Sequence, residues 1–216
     1  MTGSTYSLML VWAVFAQALN AVPVTPMVAG SDLWPPKNSA WVGDQPHYFL
    51  GGQVVLFCGT HGVFSTQAKA PSRQGQVSTI QYGAVFKGEL TLNPPLVARS
   101  STYAINDPIR ISERVTAVAV TPSGTEYATE LNGLTFKGPD FPDGIVIRES
   151  PRRRSAGHTS IYREGAGHFR IHSQYEVWLE VSQDNGRTWH LADNAVRMQL
   201  HPQVQAATIG VRKPAH

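Results

Sequence analysis

The sequence predicts an all-β protein, an antiparallel β-sandwich or open barrel preceded by an irregular N-terminal arm. Three observations carry this. Apolar residues recur with a period of two from about Gln76 onward, turn-forming clusters punctuate the chain at short intervals, and no stretch past residue 30 holds a helical period over a useful length. A period of two means strands with one buried and one wet face, the antiparallel case. Short strands with frequent turns belong to sandwiches and barrels.

The clearest strands show the pattern residue by residue. In the stretch Val85–Leu92, Phe86, Gly88, Leu90 and Leu92 share one face, and Val85, Lys87, Glu89 and Thr91 the other. In Tyr175–Val181, the row Tyr175, Val177, Leu179 and Val181 opposes Glu176, Trp178 and Glu180. Val196, Met198 and Leu200 alternate with Arg197 and Gln199. Further strands are predicted over Gln53–Phe57, Val77–Tyr82, Arg110–Val120, Glu126–Phe136, Gly144–Arg148, Ser160–Tyr162 and Gly167–His172. Between them stand turn signals at Pro122–Gly124, Leu131–Gly133, Gly138–Gly144 and Glu164–Gly167.

Domain organisation follows from composition. Residues 8–18, LMLVWAVFAQA, form a short uncharged apolar run ending in Ala16-Gln17-Ala18, so residues 1–18 read as a signal peptide and the protein as secreted or lodged in the cell envelope. The run is too short to span a bilayer, and no membrane span is expected in the mature chain. The only positive charge ahead of it is the terminal amine. Residues 19–75 read as a Pro- and Gly-rich arm, in which Gln53–Phe64 either adds strands to the main sheets or forms a small satellite hairpin. Prolines 23, 26, 35, 36 and 46 forbid regular helix there, and Trp34 and Trp41 are expected to dock it on the main domain. The β domain is placed at 76–201 and a C-terminal tail at 202–216.

The formal charge of +3 rests largely on the run Arg152-Arg153-Arg154, read as a solvated loop, so nucleic acid is not an expected partner. The single cysteine, Cys58, cannot form an intramolecular disulfide, and between apolar neighbours it reads as a small buried residue rather than a nucleophile.

The sharpest local pattern is Ser182-x-Asp184-x-Gly186-x-Thr188-Trp189. Asn185-Gly186 tolerates the positive φ of a tight hairpin, and the Asp184 carboxylate can accept backbone N–H groups across the turn. Ser182 and Thr188 can add hydroxyl bonds, while Trp189 folds back as a lid. The pattern resembles the Asp-box of sialidases and related β-propeller proteins. In those proteins it is a folding device away from the catalytic centre, so the resemblance implies a structural role. The larger stretch from Phe86 to Leu200 is similar to a group of uncharacterised exported bacterial proteins of planctomycete type. The resemblance rests on GIVIRESP (144–151), SAGHTSI, GHFRIHSQYEVWLEVSQDNGRTW and the closing VRMQL. It implies export and a β fold, and no activity. His172 stands where those proteins usually carry Asp, and their C-terminal sorting tail is missing.

No nucleophile, triad or phosphate loop can be assembled, and no catalytic residue is nominated. His168 and His172 lie on one strand face but roughly 13 Å apart at about 3.3 Å per residue, too far to share an ion. Asp140 and Asp143 in the loop GPDFPDG are weak candidates for calcium; no other cofactor is expected. The candidate ligand face is the row His172, Glu176, Trp178 and Glu180, with Gln174, because an exposed indole flanked by hydrogen-bonding groups suits a sugar ring. The sequence thus leads to a secreted, non-catalytic structural or interaction protein whose partner is a glycan or an envelope or extracellular protein. A carbohydrate-binding module and a small glycan-active hydrolase are the alternatives.

Overall fold

The computed structural model describes residues 27–202, except 30–32, 37, 66–67, 94–98 and 166, and omits the side chains of 27–29 and Cys58. The predicted signal peptide, nearly all of the C-terminal tail and the environment of the Cys58 thiol therefore lie outside the described residues. No described helix is long and apolar enough to cross a membrane.

The chain is all-β, and its strands are antiparallel. In order they are β1 (Met27–Ala29), β2 (Leu33–Trp34), β3 (Ser39–Gly43), β4 (His47–Phe49), β5 (Val54–Gly62), β6 (Ala68–Lys69), β7 (Val77–Leu92) and β8 (Ser101–Thr121). There follow β9 (Gly124–Phe136), β10 (Val146–Glu149), β11 (Ser155–Gly165), β12 (His168–Val177), β13 (Leu179–Ser182), β14 (His190–Leu191) and β15 (Val196–Pro202).

Eight of them close a ring. Beginning at β3, the hydrogen-bonded neighbours run β5, β7, β8, β9, β11, β12 and β15, and β15 returns to β3 through Met198↔Gly43 to Pro202↔Ser39. The sheet is thus a closed barrel, and the expected all-β antiparallel class takes its barrel form without the opening. Closure depends on β3 and β5, both from the segment assigned to an arm. Strand β3 and the second half of β5 are barrel wall, which therefore begins well before residue 76. Trp34 and Trp41 are core residues, 1% and 3% exposed.

Alternation dictates what fills the ring. On β8 the inward row is Ile105, Asp107, Ile109, Ile111, Glu113, Val115 and Ala117. From β7 come Ile80, Tyr82, Ala84 and Phe86, and from β12 Ile171, Ser173, Tyr175 and Val177. Register shifts interrupt the rows. Ser112 pairs with Gly133 but Glu113 with Leu131, so Asn132 is an extra residue in β9; Val118 is likewise extra in β8. Such bulges sharpen local twist, which helps a long hairpin bend into a barrel.

Beyond the ring, β4, the first half of β5 and the far ends of β7 and β8 continue as a smaller layer with β10, β13 and β14. The bridge Phe49↔Ala192 links the two sides of that layer. At the free edge of β8, the loop 137–145 packs in Phe141 beside Phe136 (6.5 Å between ring centroids), and Asp140 Oδ2 accepts the Asn106 N–H at 2.9 Å.

Candidate functional site

A broad concavity lies on the outer face of the barrel, over β7, β8 and β9. Period two turns Gln81 and Gly83 outward on either side of buried Tyr82, and turns Arg110 and Ser112 outward on either side of buried Ile111. The extra residue Asn132 resets β9 so that Gly133 and Thr135 also face out. Register then sets these six in two short rows. Gln81 pairs with Ser112 and Ser112 with Gly133; Gly83 pairs with Arg110 and Arg110 with Thr135. The two glycines leave the floor low, and Ser65 crosses one end, its N–H donating to the Gly83 carbonyl at 3.0 Å. A Cβ at Gly83 would push the Ser65 hydroxyl aside. The groove encloses about 770 Å³. Among the residues that line it, Arg110 carries the one charge.

The predicted ligand row does not hold together. Gln174 and Glu176 are exposed on β12 and His172 is half-buried. Glu176 pairs with Arg197 across the β12–β15 ladder, and with Gln174, His158 and Gly157 the two line a depression of about 290 Å³. Trp178 and Glu180 are elsewhere. The predicted strand Tyr175–Val181 breaks at Trp178 into β12, which stays in the ring, and β13, which pairs with β10. The break takes Glu180 off the outward face and buries it completely. Trp178 is half-buried with the Arg153 guanidinium 4.3 Å above its ring, so that face is not an open sugar platform.

Glu180 instead organises the arginine run. Arg148 Nη2 donates to Oε2 at 2.8 Å, Arg152 Nε to Oε1 at 2.6 Å and the Ser150 hydroxyl to Oε1 at 3.1 Å. Burial pushes this carboxyl up, but the hydrogen bonds from Arg152, Arg148 and Ser150 outweigh it and hold it below its ordinary value. Arg148 also lies 3.8 Å over the Trp189 ring, and Arg154 pairs with Glu130 at 2.8 Å. The run read as a solvated loop is tied down at each arginine.

The turn at 182–189 forms the hydrogen bonds its spacing predicts. Asp184 Oδ1 accepts from the Arg187 and Thr188 N–H groups (3.0 and 2.8 Å) and the Ser182 hydroxyl (2.7 Å), while Oδ2 accepts the Thr188 hydroxyl (2.7 Å). Asn185 and Gly186 take φ of 58° and 89°, and Trp189 Nε1 donates back to the Gly186 carbonyl at 3.0 Å. Bonds from Thr188, with others from Ser182 and Arg187, hold the Asp184 carboxyl well below the usual carboxylate range. The turn joins β13 to β14, as the sequence placed it.

Asp140 and Asp143 do not converge on a cation site. Asp140 caps the β8 edge, Asp143 is exposed, and no group of three or more His, Cys, Asp or Glu able to hold a metal exists among the described residues.

What the sequence pattern did not reveal lies inside the ring. Glu113 is fully buried, its Oε2 accepting from Trp34 Nε1 at 2.8 Å and Tyr82 Oη at 3.1 Å. Burial, only partly offset by those two donors, raises it to about 7. His61 is lowered to about 3 by burial, and His47 to about 3 by burial and by the nearby His61. His61 also borders a cavity of about 20 Å³, lined with it by Trp41, Tyr82, Ile111, Tyr175 and Met198, among others. The signal for Glu113 was in the alternation: it occupies an apolar slot between Ile111 and Val115.

The chain matches no known protein family, no curated protein and no solved structure.

Proposed function

We propose that the chain is an exported, non-catalytic binding protein that meets its partner along the groove on β7, β8 and β9. The observation that carries this reading is the groove itself. Its volume of about 770 Å³ falls within the usual range of ligand sites, and it sits on a rigid closed wall. Its exposed lining is hydroxyl, amide and one guanidinium beside the apolar ring of Pro108, which suits a neutral, hydroxyl-rich chain such as an envelope or matrix glycan. Export is supported by the apolar run at 8–18 and its small-residue end. The test is a thermal-shift and calorimetric screen of the protein against neutral glycans, repeated with Arg110→Ala. Binding by one glycan class that weakens roughly tenfold in the variant is expected, the loss of a charge-assisted hydrogen bond. Binding untouched by Arg110→Ala would remove the groove from the proposal, and silence across the panel would redirect the search to protein partners.

A further inference from the structure

The ring interior combines aromatic walls with polar atoms that the protein leaves without partners. His61 Nε2, Tyr175 Oη and Glu113 Oε1 are buried and have no hydrogen-bond partner among the described residues. His61 and Tyr175 line the small cavity, and Tyr82, also on its wall, shares Glu113 Oε2 with Trp34. Trp34 fills the adjoining space. Its indole stands edge-on to Trp41, which is itself edge-on to Tyr175 (ring centroids 6.0 and 5.0 Å apart). Yet the backbone carrying Trp34 is not part of the barrel wall. In the strand ladders β2 belongs with β6, through Leu33↔Lys69 and Trp34↔Ala68, to a two-stranded sheet separate from the barrel.

A large planar side chain, delivered into the ring by a short strap and anchored by one N–H on a buried carboxyl, has the attributes of a ligand. We propose that the ring interior is a binding site for a planar aromatic or heteroaromatic molecule bearing one N–H or O–H donor, and that Trp34 occupies it as a built-in substitute. Each part of the site has a task in that recognition. Glu113 Oε2 takes the donor, Trp41 and Tyr175 supply the aromatic walls, and Ile111, Leu131 and Met198 exclude water. His61 Nε2 and Tyr175 Oη are available to a substituent at the far edge of the ring. The cavity of about 20 Å³ holds little more than one water-sized group, so a ligand enters only as Trp34 leaves. An eight-stranded barrel has the interior width for one such molecule. This site is separate from the outer groove, and neither depends on the other.

Indole and its N–H-free isostere benzothiophene serve as probes. The Trp34→Ala protein, checked for the native far-UV circular dichroism, is expected to bind indole at least tenfold more tightly than wild type and benzothiophene roughly tenfold more weakly than indole, the share of one hydrogen bond. In wild-type protein, millimolar indole is expected to speed amide exchange at Leu33 and Lys69 while the ring strands keep their protection. A folded Trp34→Ala protein that ignores indole, or that binds both probes alike, overturns the proposal. Should that variant not fold, the wild-type exchange decides: unchanged rates at Leu33 and Lys69 under saturating indole overturn it equally.

Discussion

Glu113 and Glu180 are both wholly withdrawn from water, one inside the barrel and one under the arginine run, and the protein treats them in opposite ways. Glu180 is kept charged by two guanidiniums and a hydroxyl. Among the described residues Glu113 accepts from the neutral donors of Trp34 and Tyr82 alone, and burial raises it to about 7. The difference follows from where each cation can reach. Arg148 and Arg152 stand at the rim, their side chains 34% and 58% exposed, and extend inward while staying partly hydrated. Among the described residues no Lys or Arg forms an ion pair with Glu113. A buried acid therefore survives either by importing charge from the surface or by keeping its proton.

The sharpest break of that comparison is the double change Arg148→Ala with Arg152→Ala. It strands the Glu180 charge and is expected to cost about 3–5 kcal/mol in urea unfolding, the scale for an uncompensated buried ion. Next is the pH dependence of Glu113. Its folded value of about 7 lies above the unfolded 4.5, so its contribution is complete below pH 4.5 and lost as pH rises through 7. The loss should approach about 3 kcal/mol by pH 9, because each pH unit separating the folded and unfolded values is worth about 1.4 kcal/mol. Glu113→Gln should abolish that part of the decline and change little at pH 5. Glu149, half-buried and also raised to about 7 by burial, moves the same way, so Glu149→Gln is the control for its share. On the acid side the buried histidines act with opposite sign: lowered to about 3, they contribute fully above pH 6.5 and lose that contribution as pH falls toward 3. The two declines overlap between pH 4.5 and 6.5, so thermal melts from pH 4 to 9 should show a broad maximum over that span that falls away on both sides.

Smaller effects test the surroundings of Glu180. Gly186→Ala, at φ 89° with Trp189 3.4 Å from the added carbon, should cost about 1–2 kcal/mol, read from the melting temperature. Arg153→Ala removes the cation over Trp178 and should cost about 0.5–1 kcal/mol, with a change in tryptophan emission.

Much of this architecture was legible in the chain. The alternation in β7, β8, β12 and β15 defined the buried rows, and the spacing from Ser182 to Trp189 defined a turn. What was not legible came from discontinuities. A break at Trp178 leaves no trace in a period-two pattern that continues through it, so Glu180 was read as outward although it is fully enclosed. The extra residue Asn132 likewise moves Gly133 and Thr135 to the outer face with no compositional mark, which hid the groove. Proline-rich composition in residues 19–75 signalled an arm, whereas β3 and β5 occupy the gaps between those prolines and complete the wall. Glu113 was visible as an acid in an apolar slot, but its partner Trp34 lies far away in sequence, and only the fold joins them.

The last seam of the ring joins β3 to β15, nearly the first and last described strands. A growing chain therefore cannot complete the barrel until Pro202 has emerged, however early the β7–β8–β9 meander forms. Closure must gather contacts between distant parts of the chain, the topology associated with slow folding. Until then the edges of β3 and β15 are both open to other chains. A protein wired this way depends during synthesis on being kept apart from its own copies, and truncation before β15 should yield aggregates rather than a smaller barrel.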